Sequence, residues 1–259
     1  MEAMFGDAGH NSMKTLNLGD KFDTSKVQYM EWMFCNTGYT AMTSLDLGDK
    51  FDTSNVESME KMFINNGHEA MTTLKLGNKF NTSKVTNMNS MFRECGCTAM
   101  TTLNLGANFD TSKVKNMEAM FLGTGKISMT SLKLGDNFDT SNVTTMRNMF
   151  NACGHNSMTT LNLGNKFNTK NVIDMSLMFR VTSITNLDLG ENFDTSKVTN
   201  MEAMFERNTR TVELNLGKKF DTSNVTNMMH MFKDTGYDSM TSLSLGDKFY
   251  TKSVTEMYG

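Results

Sequence analysis

Side chains capable of metal or redox chemistry are few in this sequence, and their spacing says more than their number. Three of the four histidines, His10, His68 and His155, share one recurring loop position, yet they stand 58 and 87 residues apart, two and three units of a 29-residue repeat. A zinc site needs its ligands to converge on one point, so histidines separated by whole repeats predict no metal. Cys95 and Cys153 occupy equivalent positions two repeats apart, about 10 Å at the spacing of stacked strands, beyond the roughly 7 Å between Cα atoms that a disulfide spans. Cys95 and Cys97 are too close in sequence for an easy bridge, and with Cys35 all four cysteines are expected as free thiols. The aspartates Asp23, Asp52, Asp110, Asp139, Asp194 and Asp221 recur at one repeat position, where Asn81, Asn168 and Tyr250 replace them in the other three units. One carboxylate per unit falls short of the about six to eight oxygens calcium takes. No nucleophile elbow, phosphate loop or clustered His/Asp/Glu set interrupts the regularity, where a catalytic site would break it. The expectation is a non-enzyme with no cofactor.

The elements that would position these groups are read from the repeat. The phenylalanine of an F-D-T-S-like segment recurs as Phe22, Phe51, Phe80, Phe109, Phe138, Phe167, Phe193, Phe220 and Phe249, spaced by 29 five times and then by 26, 27 and 29. The unit reads M-T-x-L-x-L-G-x-x-F-[DN]-T-[SK]-x-V-x-x-M-x-x-M-F, followed by about seven variable residues that often include a glycine. Leu45 and Leu47 alternate and predict a short strand with both leucines on one face. Gly48 stands where the chain must leave that strand, a place for positive φ. Asp52, Thr53 and Ser54 are turn and N-cap types. Val56, Met59, Met62 and Phe63 recur at i, i+3, i+6 and i+7, which predicts the buried stripe of a short α- or 3₁₀-helix, ended by the loop glycine as its C′ residue.

One such unit has apolar residues on a single side and cannot fold alone; stacking buries them in a shared core. The predicted fold class is therefore an α/β repeat: a right-handed, leucine-rich-repeat-like solenoid with a parallel sheet on its concave side and short α/3₁₀ helices on its convex side. Nine strands would make a sheet on the order of 40 Å long. Residues 1–259 are read as a single solenoid of nine units. Because the chain opens on M-E-A-M-F, matching 117–121 and 201–205, and closes after Val254-Thr-Glu-Met257, it is expected to be an uncapped fragment of a longer protein.

Composition is uniform along the chain, with no proline and a formal net charge of -3 from 25 basic and 28 acidic residues. That excludes a basic footprint for nucleic acid and a polybasic membrane patch. No apolar run approaches the roughly 18 residues of a membrane span. The 27 methionines fall largely at three repeat positions, one before the strand and two in the predicted helix. There they are read as adaptable core filler rather than as copper ligands, which would want histidine or cysteine beside them.

The segments FDTSNVTNMMHMF (220–232) and FDTSKVTNMEAMF (193–205) resemble the BspA-like leucine-rich-repeat surface proteins of bacteria, in the subfamily whose repeats carry F-D-T-S-x-V-T-x-M-x-x-M-F. The resemblance recurs nine times and covers essentially the whole chain. It implies a leucine-rich-repeat-like solenoid, a cell-surface or secreted location in Firmicutes, mycoplasmas and related bacteria, and a part in adhesion. It implies no catalytic residues. The units here carry extra residues between the Phe63-like and Met71-like positions, and no signal or anchor segment is present in the chain.

Two surfaces are candidates for binding an unidentified protein or glycan. The first is the outward column of the strand face, Asn17, Asp46, Lys75, Asn104, Lys133, Asn162, Asp188, Asn215 and Ser244, which is small, polar and of mixed charge. The second is the variable segment after each Phe63-like residue, with Tyr39, Ile64, Arg93, Leu122, Ile127, Arg180, Arg207, Arg210 and Tyr237; variable loops on a repeated frame are where recognition usually sits. The threonine column beginning Thr24, Thr53 and Thr82 is read as turn capping rather than an ice-binding array. The functional expectation is a non-catalytic surface repeat domain for adhesion or protein/glycan recognition. The alternative is a passive structural spacer or a scaffold that self-associates end to end.

Overall fold

A computed structural model describes residues 1–19 and 21–258. Its strands are β1 (Ser44–Asp46), β2 (Thr73–Lys75), β3 (Ser131–Lys133), β4 (Thr160–Asn162), β5 (Asn186–Leu187), β6 (Glu213–Asn215) and β7 (Ser242–Ser244). All pairing is parallel and one repeat out of step, as in Ser44 opposite Thr73 and Leu45 opposite Leu74. The strands do not form one long sheet. They group as β1-β2, β3-β4 and β5-β6-β7, and residues 102–104 lie outside any strand although Leu103 is buried. Each strand is short because Gly48 and its equivalents turn the chain at once, with φ of 70° at Gly48.

The predicted helices are absent: no helix occurs among the described residues, so the α/β class with helices on a convex side is wrong. Backbone hydrogen bonding gives the reason. In the segment from Met59 onward, alternate amides point along the solenoid to the next coil: Met59 to Asn87, Lys61 to Asn89, Phe63 to Met91 and Asn65 to Arg93, at 2.8–3.0 Å. The intervening amides close turns back to the residue three before, as Met62 does on Met59 and Ile64 on Lys61, both at 3.2 Å. Such a chain of turns requires left-handed residues at several points, and Lys61, Asn65 and Gly67 have φ of 56°, 54° and 50°. An α-helix tolerates none of these. The loop glycine does adopt positive φ, but as part of this turn chain: a Cβ on Gly67 would stand 2.4 Å from the Cβ of Met71. A second parallel ladder, of single bridges, runs unbroken from Tyr29 and Ser58 through Asn87, Asn116, Thr145, Asp174, Asn200 and Asn227 to Glu256. The expected helical segment is thus stitched coil to coil more continuously than the strands are.

The apolar columns pack as their spacing requires. Val56, Met59, Met62 and Phe63 are fully buried, and one core cluster runs from Met30 to Met231. All 18 phenylalanines fall into two ladders of nine. In the Phe34-Phe63-Phe92 ladder the rings stack at 5.4–5.8 Å between centroids. In the Phe51-Phe80-Phe109 ladder they stack at 6.3–6.5 Å. Beside them run buried threonines. Thr53 Oγ1 donates to the Asn81 carbonyl at 2.8 Å and accepts the Asn81 amide at 2.7 Å. The threonine column therefore joins neighbouring coils, while turn capping falls to the preceding residue: Asp52 Oδ1 accepts the Ser54 amide at 2.9 Å, as Asn81 does for Ser83.

Candidate functional site

All nine residues of the outward strand column are exposed. Six of them have a structural task as well. Asn17, Asp46, Asn104, Asn162, Asp188 and Asn215 each accept, through Oδ1, the amide of the glycine two residues on, at 2.8–3.0 Å. This fixes the left-handed glycine turn that ends each strand. Lys75 pairs with Asp46 at 3.2 Å; Lys133 and Ser244 are held by no such turn bond. Between successive strand exits the surface forms shallow grooves with apolar floors and charged rims. One of about 690 Å³ lies across β5 and β6, and its lining includes Asp188, Glu191, Glu213, Asn215, Lys218 and Lys219. It coincides with the units spaced 26 and 27 residues apart. A smaller one of about 410 Å³, lined by Thr15, Asn17, Ser44, Asp46, Asp49 and Lys50, repeats the arrangement near the other end.

The variable-segment candidates divide. Ile64 is buried and unavailable to a ligand. Tyr39 is sandwiched between His10 and His68, with ring centroids 4.8 and 4.5 Å away. Arg180 is ion-paired to Glu206, and Arg210 donates to the Asn156 carbonyl. Leu122 is half-buried, whereas Arg93, Ile127, Arg207 and Tyr237 are exposed. Trp32 is exposed too, with the Lys61 ammonium 4.3 Å above its ring. These residues are spread over several coils and line none of the pockets described above.

One chemically mixed cluster does form. His68, from one coil, meets Glu94 and Cys97 from the next, with a donor atom of each within 4.8 Å of the others. His68 Nε2 stands 3.5 Å from Glu94 Oε2. The hydrogen bond from His68 holds the Glu94 carboxyl below the usual carboxylate range. Burial, then the neighbouring Glu94 charge, pushes the Cys97 thiol up to about 12. All four cysteines are free and buried, and burial alone raises Cys153 to about 12. Cys35 is raised by the same cause.

The comparisons with known proteins bear on the repeat. The family described as "Mycoplasma protein of unknown function, DUF285" matches residues 1–132, 37–159, 96–216 and 154–259. The chain belongs to this family. The DUF285 matches overlap and together span the sequence, as expected of a tandem array in which any run of about four coils resembles any other. No curated protein and no solved structure matches the chain.

In this DUF285 chain the His68, Glu94 and Cys97 cluster is not visible from the spacing of the histidines among themselves. His68 and Cys97 are 29 residues apart, one repeat, and therefore occupy one column in adjacent coils. Glu94 joins them because Gly123, in the coil beyond, has no side chain: a Cβ there would lie 2.5 Å from the Glu94 Cδ. At that column position the other coils carry Asp7, Asn36, Asn65, Ala152, Val181, Arg207 and Asp234, so the glycine was the visible signal.

Proposed function

We propose that this chain is a non-catalytic binding module of a bacterial surface protein, and that it engages a polar ligand, a glycan or an extended peptide, along its strand face. The observation that carries this reading is the groove across β5 and β6. It lies where the repeat shortens, and Asp188, Glu191, Glu213, Lys218 and Lys219 all line its about 690 Å³. Carboxylates, amides and ammonium groups on a rigid frame offer donors and acceptors in fixed positions, and little side-chain freedom is lost on binding. The surface location is supported by the resemblance of the F-D-T-S-x-V-T-x-M-x-x-M-F units to BspA-like surface proteins, and by membership of a tandem-repeat family. The test is a glycan and protein array probed with the chain and with its Glu213→Ala/Lys218→Ala variant. Signals lost in the variant support the groove. Equal signals from both proteins, or none from either, count against it.

A spacer role is the second reading, and the phenylalanine ladder that stacks without a break from Phe5 to Phe232 favours it. A solenoid whose core is stacked ring on ring through every coil is stiff along its axis and would hold neighbouring segments of a longer protein apart.

A further inference from the structure

We propose that His68, Glu94 and Cys97 form a binding site for a divalent cation of the zinc class, with the fourth coordination position open to water or an added ligand. The three donors are an imidazole, a carboxylate and a thiol, the set that zinc takes in mixed sites with one open position. Tetrahedral ligands at zinc distances stand roughly 3.3–3.8 Å from one another, and here the donors already lie within 4.8 Å. Small side-chain rotations close that difference. The backbone carrying them is held from both sides: Gly96 and Thr98 donate to Asn66 and His68 of the coil before, and Ile127 donates to Cys97.

Two features suit the site to a cation. His68 Nε2 faces the Glu94 carboxylate at 3.5 Å, and its Nδ1 is buried with no protein partner, so no hydrogen bond of the fold competes for the ring. Its ring plane is held by Tyr39, stacked 4.5 Å away at 4°, which limits the reorientation that binding would need. The Glu94 carboxylate has room to move because Gly123 supplies no side chain. Charge balances as well. The cation displaces the Cys97 thiol proton to solvent, a sulfur–metal bond replaces the S–H bond, and thiolate plus carboxylate neutralise two positive charges in a half-buried place. Calcium and magnesium are poorly served, since only one of the donors is a carboxylate.

The experiment uses the full chain, reduced and stripped of metal, titrated first with cobalt(II) and then with zinc. The expected result is one cobalt per chain, tetrahedral d–d bands, a near-ultraviolet thiolate-to-cobalt band, and loss of these bands when zinc is added. Cys97→Ser should abolish the thiolate band. His68→Ala and the isosteric Glu94→Gln should each weaken zinc binding by more than ~10-fold, while Cys95→Ser should retain both signals. The urea midpoint of each metal-free variant separates lost folding from lost binding: zinc should raise the wild-type and Cys95→Ser midpoints and not the others. No saturable binding, or a thiolate band that survives Cys97→Ser, would overturn the site and mark the trio as a structural hydrogen-bonded cluster. That outcome leaves the strand-face reading untouched, because no residue is shared between the two.

Discussion

Thr140 sits in the middle of the buried threonine column, and its replacement by valine tests whether hydroxyls hold the coils together. Thr140 Oγ1 donates to the Asn168 carbonyl at 2.8 Å and accepts the Asn168 amide at 2.7 Å. Valine keeps the shape and removes both bonds, and it leaves a peptide donor and acceptor facing a methyl group. A made hydrogen bond contributes about 1 kcal/mol, and an unsatisfied, partly buried group costs about 1–3 kcal/mol. The added methyl returns a fraction of this through apolar burial. The expected loss is about 2–3 kcal/mol. Serine at the same place keeps the hydroxyl and loses one methyl, about 1 kcal/mol. The comparison is made by urea unfolding followed by circular dichroism. With m of about 3 kcal/mol/M for a chain of this size, Thr140→Val should lower the midpoint by ~1 M and Thr140→Ser by about a third of that. Thr144→Val is the control, since Thr144 is exposed and makes a single 3.2 Å bond; it should be nearly neutral. A valine variant as stable as the serine variant would refute the idea that these hydroxyls join coil to coil, and would leave the aromatic ladders to do so.

Two further outcomes follow from the backbone and the turn carboxylates. Val181 is β-branched yet left-handed, with φ of 58°, where other coils place Asn36 and Asn65; Val181→Asn should raise stability by about 1 kcal/mol, read as a higher thermal midpoint, and a lower midpoint would show that the side chain's packing outweighs the strain. The Ser54 and Ser223 side chains are the main groups holding Asp52 and Asp221 below their ordinary value of 3.8. Their contribution to stability is therefore complete above that value and lost as pH falls through the lower folded value. Asp52→Asn/Asp221→Asn retains the turn, as Asn81 and Asn168 do, and should flatten the fall in urea midpoint as the pH drops below about 4.

The candidate surfaces show where reading by residue type stops. The outward column was legible from the alternation of Leu45 and Leu47, and every member is exposed. That six of its members hold a glycine amide was not, because an Asn or Asp beside a strand looks the same whether it faces a ligand or its own turn. Ile64 was nominated from its place in a variable segment and is buried, because that segment folds back over the core as a chain of turns. The cluster of His68, Glu94 and Cys97 required the coils to be laid one on another before any two of its members became neighbours.

The sequence alone determined the repeat, its register and the identity of the buried columns, since apolar spacing is a one-dimensional signal and every coil repeats it. It left the backbone between Val56 and Gly67 undecided, because a spacing of three and four residues buries the same side chains in a helix or in linked turns. Tertiary structure decided that matter. With a neighbouring coil one repeat away, alternate amides from Met59 to Asn65 find carbonyls outside their own segment, and a backbone whose donors are satisfied from outside has no need of a helix.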